Sequence, residues 1–339
     1  MDNEIMVSVS MITYNHGKYI RHALESVLMQ ETDFKFEIVI GDDCSSDNTQ
    51  EIIREYEKKY PNIIKPIYRQ ENVGAINNSI DVKSKCKGKY LAILEGDDYF
   101  TSKYKLQKQV EFLETHKEYK SCAHRIEIVD ENENHKLYTL SDLPLNYAFG
   151  TYEYSKWQTN MIHPNSLMLV NIFKENNEDI KKLFTTSKTS NHSMLLLTCL
   201  KMSDIYVFSE SMTAWRCVIK PNATNYTSIA QENKLVYHED KLRIYKAEKE
   251  YFQKYFKTIN FSEILAKGYI DGIKIIKNKN SNNKEWKKCY KKYLTKKELY
   301  TYIPYVEIKI ALKSFYCTCV NALRKIGVYD KMKKLLKKD

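Results

Sequence analysis

The sequence lacks the long apolar runs of an integral membrane protein, since no stretch approaches the ~18 uncharged residues of a spanning helix. Its eight cysteines form no Cys-x-x-Cys pair and no Cys/His spacing typical of a metal site. The first four residues include two acidic ones, so we expect no secretory signal peptide. Together these absences predict a reduced, cytoplasmic chain whose thiols are mostly structural.

Glycine is scarce, with nine among 339 residues, and the loops that need several glycines together are missing. Residues 13–17, between the first predicted strand and helix, hold one glycine where a dinucleotide-binding fingerprint needs three. This disfavours a Rossmann dehydrogenase and a P-loop enzyme. A nucleotidyltransferase of related fold would need a glycine-rich loop with Arg or Lys at the same point, and that loop is missing as well.

Excess positive charge is absent from the first four-fifths of the chain. Residues 274–339 hold 19 Lys and Arg against 5 Asp and Glu, whereas the preceding 273 residues hold 35 basic and 38 acidic side chains. The formal net charge of +11 therefore comes from the C-terminal end. This distribution argues against a nucleic-acid-binding core and for a basic appendage to one large domain.

The first 115 residues alternate short apolar runs with segments of helical periodicity. Predicted strands cover residues 5–13, 36–41, 63–68 and 89–94, and each is followed by a predicted helix. Asp47 and Gln50 predict a capping box at the start of the second helix. The alternation of strands and helices predicts a parallel sheet with right-handed crossovers.

Two of the predicted strands end in acidic clusters, at residues 42–47 (Asp-Asp-Cys-Ser-Ser-Asp) and 95–98 (Glu-Gly-Asp-Asp). In an open α/β sheet the ligand crevice lies beyond the carboxyl ends of the strands. Carboxylates delivered there repel one another unless a cation or hydrogen-bond donors lie between them. The two clusters therefore favour a site for a divalent metal and a nucleotide, although Asp and Ser also make ordinary turns and helix caps.

Four motifs lie in order along the first 115 residues: 7–15 (VSVSMITYN), 38–49 (IVIGDDCSSDNT), 72–74 (NVG) and 94–99 (LEGDDY). With these motifs, residues 5–115 resemble the sugar-nucleotide-binding half of an inverting family 2 glycosyltransferase with the GT-A fold. Residues 105–109 (KLQKQ) extend the resemblance toward a bacterial subgroup of that family.

The resemblance implies an α/β architecture, a GT-A-type nucleotide-binding fold with a mainly parallel central sheet, followed by a helical basic C-terminal region. It also implies the domain limits. A GT-A domain would cover residues 1–225, with a nucleotide-sugar half at 1–115 and an acceptor half at 116–225. The helical Lys/Tyr-rich region would cover residues 226–339.

The resemblance assigns a nucleotide-sugar-binding role to six residues of the first half: Ile12, Tyr14, Asp43, Gly74, Glu95 and Gly96. Among these, Tyr14 would flank the base, Asp43 would accept the N3–H of uracil, and Glu95 would lie beside the ribose. Gly96 would let the backbone approach the diphosphate closely. Asp42 is expected to brace the turn rather than bind the ligand.

The cofactor implied by the resemblance is a divalent metal, Mn²⁺ or Mg²⁺, that bridges the donor diphosphate. Asp97 would be its ligand, with Asp98 as the alternative. Hard oxygen ligands suit these ions, which bind to few carboxylates and let substrate phosphates complete the coordination shell.

The second half departs from the family at the catalytic base. Residues 160–166 resemble the acceptor-lining segment, but Asn191 stands where relatives carry the catalytic Asp, and an amide cannot take a proton from an acceptor hydroxyl. Three explanations stay open. His192 or Asp204 serves as base in a shifted alignment, Glu210 supplies it, or the protein binds sugar nucleotide with little or no transfer. Val218 stands where many relatives carry a His.

The C-terminal end contains a short basic amphipathic segment at residues 328–338, with apolar side chains on one side and lysines on the other. Such a helix can lie on an anionic membrane surface, although it can also be a solvated helix that packs on the domain. We therefore expect a cytoplasmic protein that is peripheral on the inner face of the cell membrane.

The sequence as a whole predicts a metal-assisted, inverting glycosyltransferase. Its donor would be a nucleoside diphosphate sugar, namely a UDP-sugar, and its acceptor a hydroxyl of a glycan or lipid-linked acceptor in capsule or other cell-surface polysaccharide synthesis. The alternative hypothesis is a catalytically weakened sugar-nucleotide-binding or scaffolding subunit of a polysaccharide-assembly complex. Neither hypothesis includes a nucleic-acid partner.

Overall fold

Four parallel strands from the first 95 residues form one side of the central sheet: β1 (Val7–Thr13), β2 (Phe36–Asp42), β3 (Ile64–Tyr68) and β4 (Tyr90–Glu95). They lie in the order β3-β2-β1-β4, with β1 paired in parallel to both β2 and β4. The computed structural model describes residues 4–134, 146–150, 162–174, 180, 183–186, 192–218 and 234–256. Strand order reverses at β1, so its carboxyl end marks a crevice suited to a ligand.

The other side of the sheet is mixed. It contains β5 (Tyr99–Phe100), β6 (Ser121–Val129), β7 (Tyr147–Phe149), β8 (Met168–Val170) and β9 (Ile205–Arg216). Within the described residues β8 pairs antiparallel to β4 and β6, whereas β6 and β9 are parallel. The predicted α/β fold with a parallel sheet over the first half is confirmed, and the antiparallel pairs are an addition that strand–helix alternation did not predict.

Helices cover both faces of the sheet: α1 (Ile20–Leu28), α2 (Thr49–Lys59), α3 (Ala75–Lys85), α4 (Lys105–Thr115), α5 (His192–Met202) and α6 (Lys234–Tyr255). The apolar side chains of α1, α2 and α4 form one buried cluster with the sheet, and those of α3, α5 and α6 form another on the opposite face. These amphipathic helices bury their stripes against the apolar strands, which gives three layers.

The alternation of side chains along β4 decides what its last residue faces. Tyr90, Ala92 and Leu94 belong to the cluster under α1 and α2, whereas Leu91 and Ile93 belong to the cluster under α3. Because successive strand residues point to opposite faces, Glu95 lies on the α3 face of the sheet.

The structure describes part of the predicted helical C-terminal region, namely residues 234–256. The helix α6 packs on α5 through the same apolar cluster, with Leu242 and Ile244 buried. The basic segment at residues 328–338 lies outside the described residues, and the domain boundary at residue 225 stays a prediction. Among the described helices, none is both long and apolar enough to cross a bilayer.

Candidate nucleotide and metal site

The sheet register brings the two acidic clusters to one edge. Thr13 pairs with Asp42, and Ile12 pairs with Glu95, so β1, β2 and β4 end side by side. Beyond β4, one carboxylate oxygen from each of Glu95, Asp97 and Asp98 lies within 4.8 Å of the others. The end of β4 and the turn after it therefore bring three carboxylates together in space, whereas the sequence alone showed only that they are neighbours along the chain.

Asp98 is held by the protein itself. Its Oδ1 accepts the backbone N–H of Arg216 at 2.7 Å, and its Oδ2 accepts the side-chain amide of Asn165. The residue is 1% exposed. With both oxygens engaged and no access to solvent, Asp98 is better suited to fixing the turn than to receiving a ligand.

Asp97 is the more accessible carboxylate, with its side chain 15% exposed. Its Oδ2 lies 3.9 Å from Nε2 of His16, in the loop between β1 and α1. Of the two predicted metal ligands, the geometry therefore favours Asp97, and the assignment stays a prediction.

Burial and mutual repulsion both oppose the ionisation of the carboxylates in this cluster. Burial, and next the charge of Asp97, raises the pKa of Glu95 to about 7, against the opposing effect of Lys83. Burial also raises the pKa of Asp98 well above its ordinary value, helped by the charges of Asp97 and Glu95. Glu95 and Asp97 offer hard oxygen donors that repel each other, which fits a divalent cation such as Mg²⁺ or Mn²⁺, so these two residues suit the implied metal while Asp98 fixes the turn.

Gly96 is closely packed against the end of β1 and the loop that follows β1. A Cβ at this position would lie 2.8 Å from Thr13 Oγ1 and 3.1 Å from His16 Nδ1. Those two buried atoms have no hydrogen-bond partner among the described residues. A side chain would therefore push the turn that carries Asp97 away from β1, which explains why glycine is needed here.

Asp43, the predicted uracil acceptor, holds the loop before α3. Its two carboxylate oxygens accept the backbone N–H groups of Val73 and Gly74 at 2.8 and 2.9 Å. Gly74 has φ of +85°, a conformation that costs glycine little. Each carboxylate oxygen keeps a second lone pair, so contact with a base stays possible in chemical terms and stays a prediction.

Asp42 braces the turn after β2, as predicted. It accepts the backbone N–H of Ser45 at 3.0 Å and the side-chain amide of Gln50 at 2.6 Å. The predicted capping box is wrong, because Gln50 is drawn to this buried carboxylate and Asn48 is the N-cap of α2. A carboxylate that is fully buried competes more strongly for the amide than the helix end does.

The loop carrying Tyr14 is pinned to the loop after β2. The backbone N–H of Asn15 donates to Ser45 Oγ at 2.9 Å, and Asn15 Oδ1 accepts the N–H of Ser46 at 2.8 Å. Asn15 adopts φ of +54°, which Asn tolerates better than most residues. The aromatic ring of Tyr14 and the Ile12 side chain are both partly buried at this edge of the sheet.

Arg216 is a part of the site that was not assigned from the sequence. Its guanidinium donates to the backbone carbonyl of Asp97 and to Glu133 Oε1, the latter at 2.6 Å. It also lies over the rings of Tyr19 and Tyr99, 4.5 and 5.3 Å from their centroids. The buried arginine thereby ties the end of β9 to the acidic turn.

The acceptor half contributes neutral histidines. The rings of His163 and Trp215 are 5.0 Å apart between centroids, and those of His163 and His192 are 6.3 Å apart. Burial lowers the pKa of His163 to about 3 and that of His192 to about 4. Asn191, the residue at the expected base position, lies outside the described residues.

The two other base alternatives lie away from the acidic cluster. Asp204 precedes β9, at the end opposite to Arg216. Glu210 is exposed and forms an ion pair with Lys108 at 2.6 Å. At roughly 3.3 Å per strand residue, Asp204 is separated from Arg216 by most of a long strand, which makes it an unsuitable base.

Comparisons with known proteins agree with this geometry. Residues 8–176 match the sequence model described as glycosyl transferase family 2. A 126-residue segment is 44% identical to an uncharacterized protein of Mycobacterium tuberculosis, covering 37% of this chain and 36% of that protein. The putative teichuronic acid biosynthesis glycosyltransferase TuaG of Bacillus subtilis is 38% identical over 35% of this chain and 44% of TuaG. An uncharacterized glycosyltransferase of Methanocaldococcus jannaschii is 27% identical over 68% of this chain and 76% of that protein.

Among solved structures, residues 1–349 of TarS from S. aureus in complex with UDP superpose with a TM-score of 0.55 and 18% identity. The match covers 78% of this chain and 70% of that chain. At this identity the likeness establishes a shared fold. The matched segment spans just over a third of the mycobacterial protein's length.

Proposed function

The chain belongs to glycosyl transferase family 2, and on that basis we propose that it transfers a sugar from a UDP-sugar to an acceptor hydroxyl with inversion. The observation that carries this proposal is the gathering of Glu95, Asp97 and Asp98 at the carboxyl edge of a parallel sheet. The TarS structures described with UDP and with UDP-GlcNAc support a UDP-sugar as donor.

In this proposal each strand end has a separate task. Asp43 and Tyr14 hold the base, and Glu95 accepts hydrogen bonds from the ribose. Gly96 keeps the turn close to β1, so that the diphosphate can approach the backbone. Asp97 would hold Mn²⁺ or Mg²⁺, which, when bound, neutralises charge on the leaving diphosphate.

The proton on the acceptor hydroxyl requires a general base. A general base works best when its pKa lies near the operating pH. Burial lowers the pKa of His192 to about 4, which makes this imidazole a weak base at neutral pH. Together with Asn191, this favours the second candidate function, a sugar-nucleotide-binding or scaffolding subunit whose catalytic step is weakened.

The proposed acceptor is a glycan or lipid-linked acceptor in cell-surface polysaccharide assembly. The naming of TuaG for teichuronic acid biosynthesis supports this class. We also propose that residues 274–339 bring the enzyme to an anionic membrane, because 19 of their side chains are basic and 5 acidic.

The donor and metal assignments are tested together by calorimetry. UDP should bind the full-length protein with Mn²⁺ and bind poorly with chelator, because Asp97 would hold the diphosphate only through a bound metal. Asp97→Ala should abolish the metal dependence, whereas Lys85→Met on the exposed side of α3 should leave it unchanged. Equal UDP affinity with and without metal in the unmodified protein would contradict the metal assignment.

Membrane binding is tested by sedimentation with anionic vesicles. The full chain should pellet with them and be released by salt, since exposed charges are screened beyond about 10 Å at 0.1 M ionic strength. A chain truncated after Ile273, which lacks the whole basic segment, should keep UDP binding and stay in the supernatant. If both forms pellet equally, the basic end is not the membrane contact.

A further inference from the structure

A histidine in the loop between β1 and α1 faces the carboxylate that is the proposed metal ligand. Nε2 of His16 lies 3.9 Å from Oδ2 of Asp97, and each side chain is 15% exposed. This distance is too long for a hydrogen bond, which joins nitrogen and oxygen at about 2.7–3.2 Å. The two atoms therefore face each other across a gap, without a direct contact.

The width of this gap suits one coordinated ion. Imidazole nitrogens and carboxylate oxygens lie about 2.0–2.2 Å from an ion such as Zn²⁺, so two donors of one ion are about 4.3 Å apart at most. The separation of 3.9 Å lies within this limit. His16 can therefore add a nitrogen donor to the oxygen donor of Asp97 without a rearrangement of the backbone.

The loop fixes the position of His16 through contacts on both sides. Before it, Oδ1 of Asn15 accepts a backbone N–H of the loop after β2 at 2.8 Å. After it, the backbone N–H of Gly17 donates to Oδ2 of Asp47 at 2.9 Å. The carbonyl of His16 itself accepts the N–H of Ile20, the first residue of α1, at 2.8 Å. Because the backbone is already ordered, binding of a ligand by this side chain costs little conformational entropy.

The second ring nitrogen of His16 has an acceptor available to it. A histidine that binds a metal through one nitrogen carries its proton on the other and donates it to a partner that fixes the ring. Nδ1 of His16 and Oγ1 of Thr13 are both buried, have no hydrogen-bond partner among the described residues, and approach the same side of Gly96. Thr13 can therefore accept the Nδ1 proton, directly or through one water.

We propose that His16 is a ligand of the donor-site metal, which it binds through Nε2 beside Asp97, and that Thr13 is the positioning residue that fixes the ring. This inference deepens the proposed function and rests on it, because it concerns the metal of the proposed donor site. Imidazole favours transition-metal ions, whereas Mg²⁺ prefers oxygen ligands. His16 therefore gives the site a preference for transition metals over Mg²⁺.

The direct test is pulsed electron paramagnetic resonance of Mn²⁺ bound with UDP to the full chain, because a coordinated imidazole nitrogen modulates the spin echo of Mn²⁺. The unmodified protein should show this nitrogen modulation, and His16→Gln should lose it. His116→Gln, at an exposed histidine that follows α4, is the matched control and should keep it. Absence of nitrogen modulation in the unmodified complex would overturn the inference, whether or not any variant folds.

Calorimetry of UDP binding with Co²⁺ and with Mg²⁺ gives a second measurement. His16→Gln should weaken binding with Co²⁺ at least about tenfold more than binding with Mg²⁺. Thr13→Val should weaken binding with Co²⁺ by about tenfold, the lower end of the loss expected when the partner of a metal-bound histidine is removed. In the His16→Gln background, Thr13→Val should cause no further loss. Equal losses with both metals in His16→Gln would overturn coordination and indicate a hydrogen bond from His16 to the diphosphate.

A thermal scan shows whether each variant folds, and if His16→Gln does not, His16→Asn is measured with the same expected result. The outcome also separates this inference from the proposed function. Failure of the unmodified protein to bind UDP with any metal would refute the proposed donor. Metal-dependent UDP binding without nitrogen modulation would refute only the role of His16.

Discussion

The predicted nucleotide-sugar half (residues 1–115, the donor half) and the predicted acceptor half (residues 116–225) treat their titratable side chains in opposite ways. The donor half gathers carboxylates at strand ends, where burial and mutual repulsion raise the pKa of Glu95 to about 7. The acceptor half buries imidazoles, so that the pKa of His163 falls to about 3. One half is therefore organised to attract a cation, whereas the other presents neutral rings at neutral pH. In terms of the proposed function, the difference favours donor binding over proton removal from an acceptor as the task that the described residues support.

The largest effect is expected from a substitution that introduces a carboxylate into the acceptor half. If Asn191 occupies the base position, Asn191→Asp should raise sugar transfer or donor hydrolysis by about a hundredfold, the lower end of what a general base contributes. His192→Ala should change the rate little, because an imidazole with a pKa of about 4 is a weak base at neutral pH. Initial rates with UDP-sugars and Mn²⁺ measure both variants. Lost activity in both would identify His192 as the base and the alignment as shifted.

A smaller effect is expected when a side chain is added at Gly96 in the donor half. Gly96→Ala would place a Cβ 2.8 Å from Thr13 Oγ1, and overpacking of this kind costs about 1–3 kcal/mol. Part of that strain should be relieved by displacing the turn before Asp97. We therefore expect UDP affinity to fall by about tenfold, since small displacements of a binding group are costly. Calorimetry gives the affinity and a thermal scan the stability. Unchanged affinity would show that the turn does not need its close approach to β1.

The sequence predicted the donor half better than the acceptor half for a physical reason. Strand ends followed by acids, as at Asp42 and Glu95, are local patterns, and parallel pairing brings them to one edge without further information. No local pattern indicated that Asp98 accepts structural hydrogen bonds, because its partners Asn165 and Arg216 lie far along the chain. Long-range contacts of this kind have no local signal.

The failed capping box has a similar origin. Asp47 and Gln50 have the right spacing, but the buried carboxylate of Asp42 takes the Gln50 amide. The buried Asp42 carboxylate needed a hydrogen-bond donor, and this need outweighed the local preference for a capping box.

The junction between the two predicted halves contains a buried lysine. Lys105 begins α4, is 0% exposed, and donates to Gln109 Oε1 at 2.8 Å, while Gln109 Nε2 donates to the carbonyl of Ser166 at 3.0 Å. The ammonium also lies 4.3 Å from the centroid of the Phe100 ring. Burial lowers the pKa of Lys105 from 10.5 to about 7. The residue therefore joins donor and acceptor halves through a group that is costly to protonate.

This gives the last prediction, a dependence of stability on pH. Between pH 7 and 9 the unfolded chain keeps the Lys105 proton that the folded chain has largely released, so this group adds stability as pH rises. Relative to Lys105→Met, the free energy of unfolding of the unmodified protein should rise by up to about 1.4 kcal/mol per pH unit. Urea unfolding at several pH values measures the difference, with Lys108→Met, an exposed lysine of the same helix, as control. Parallel pH profiles for the unmodified protein and Lys105→Met would mean that the ammonium is solvated, and that the junction opens more readily than the packing between α4 and Ser166 implies.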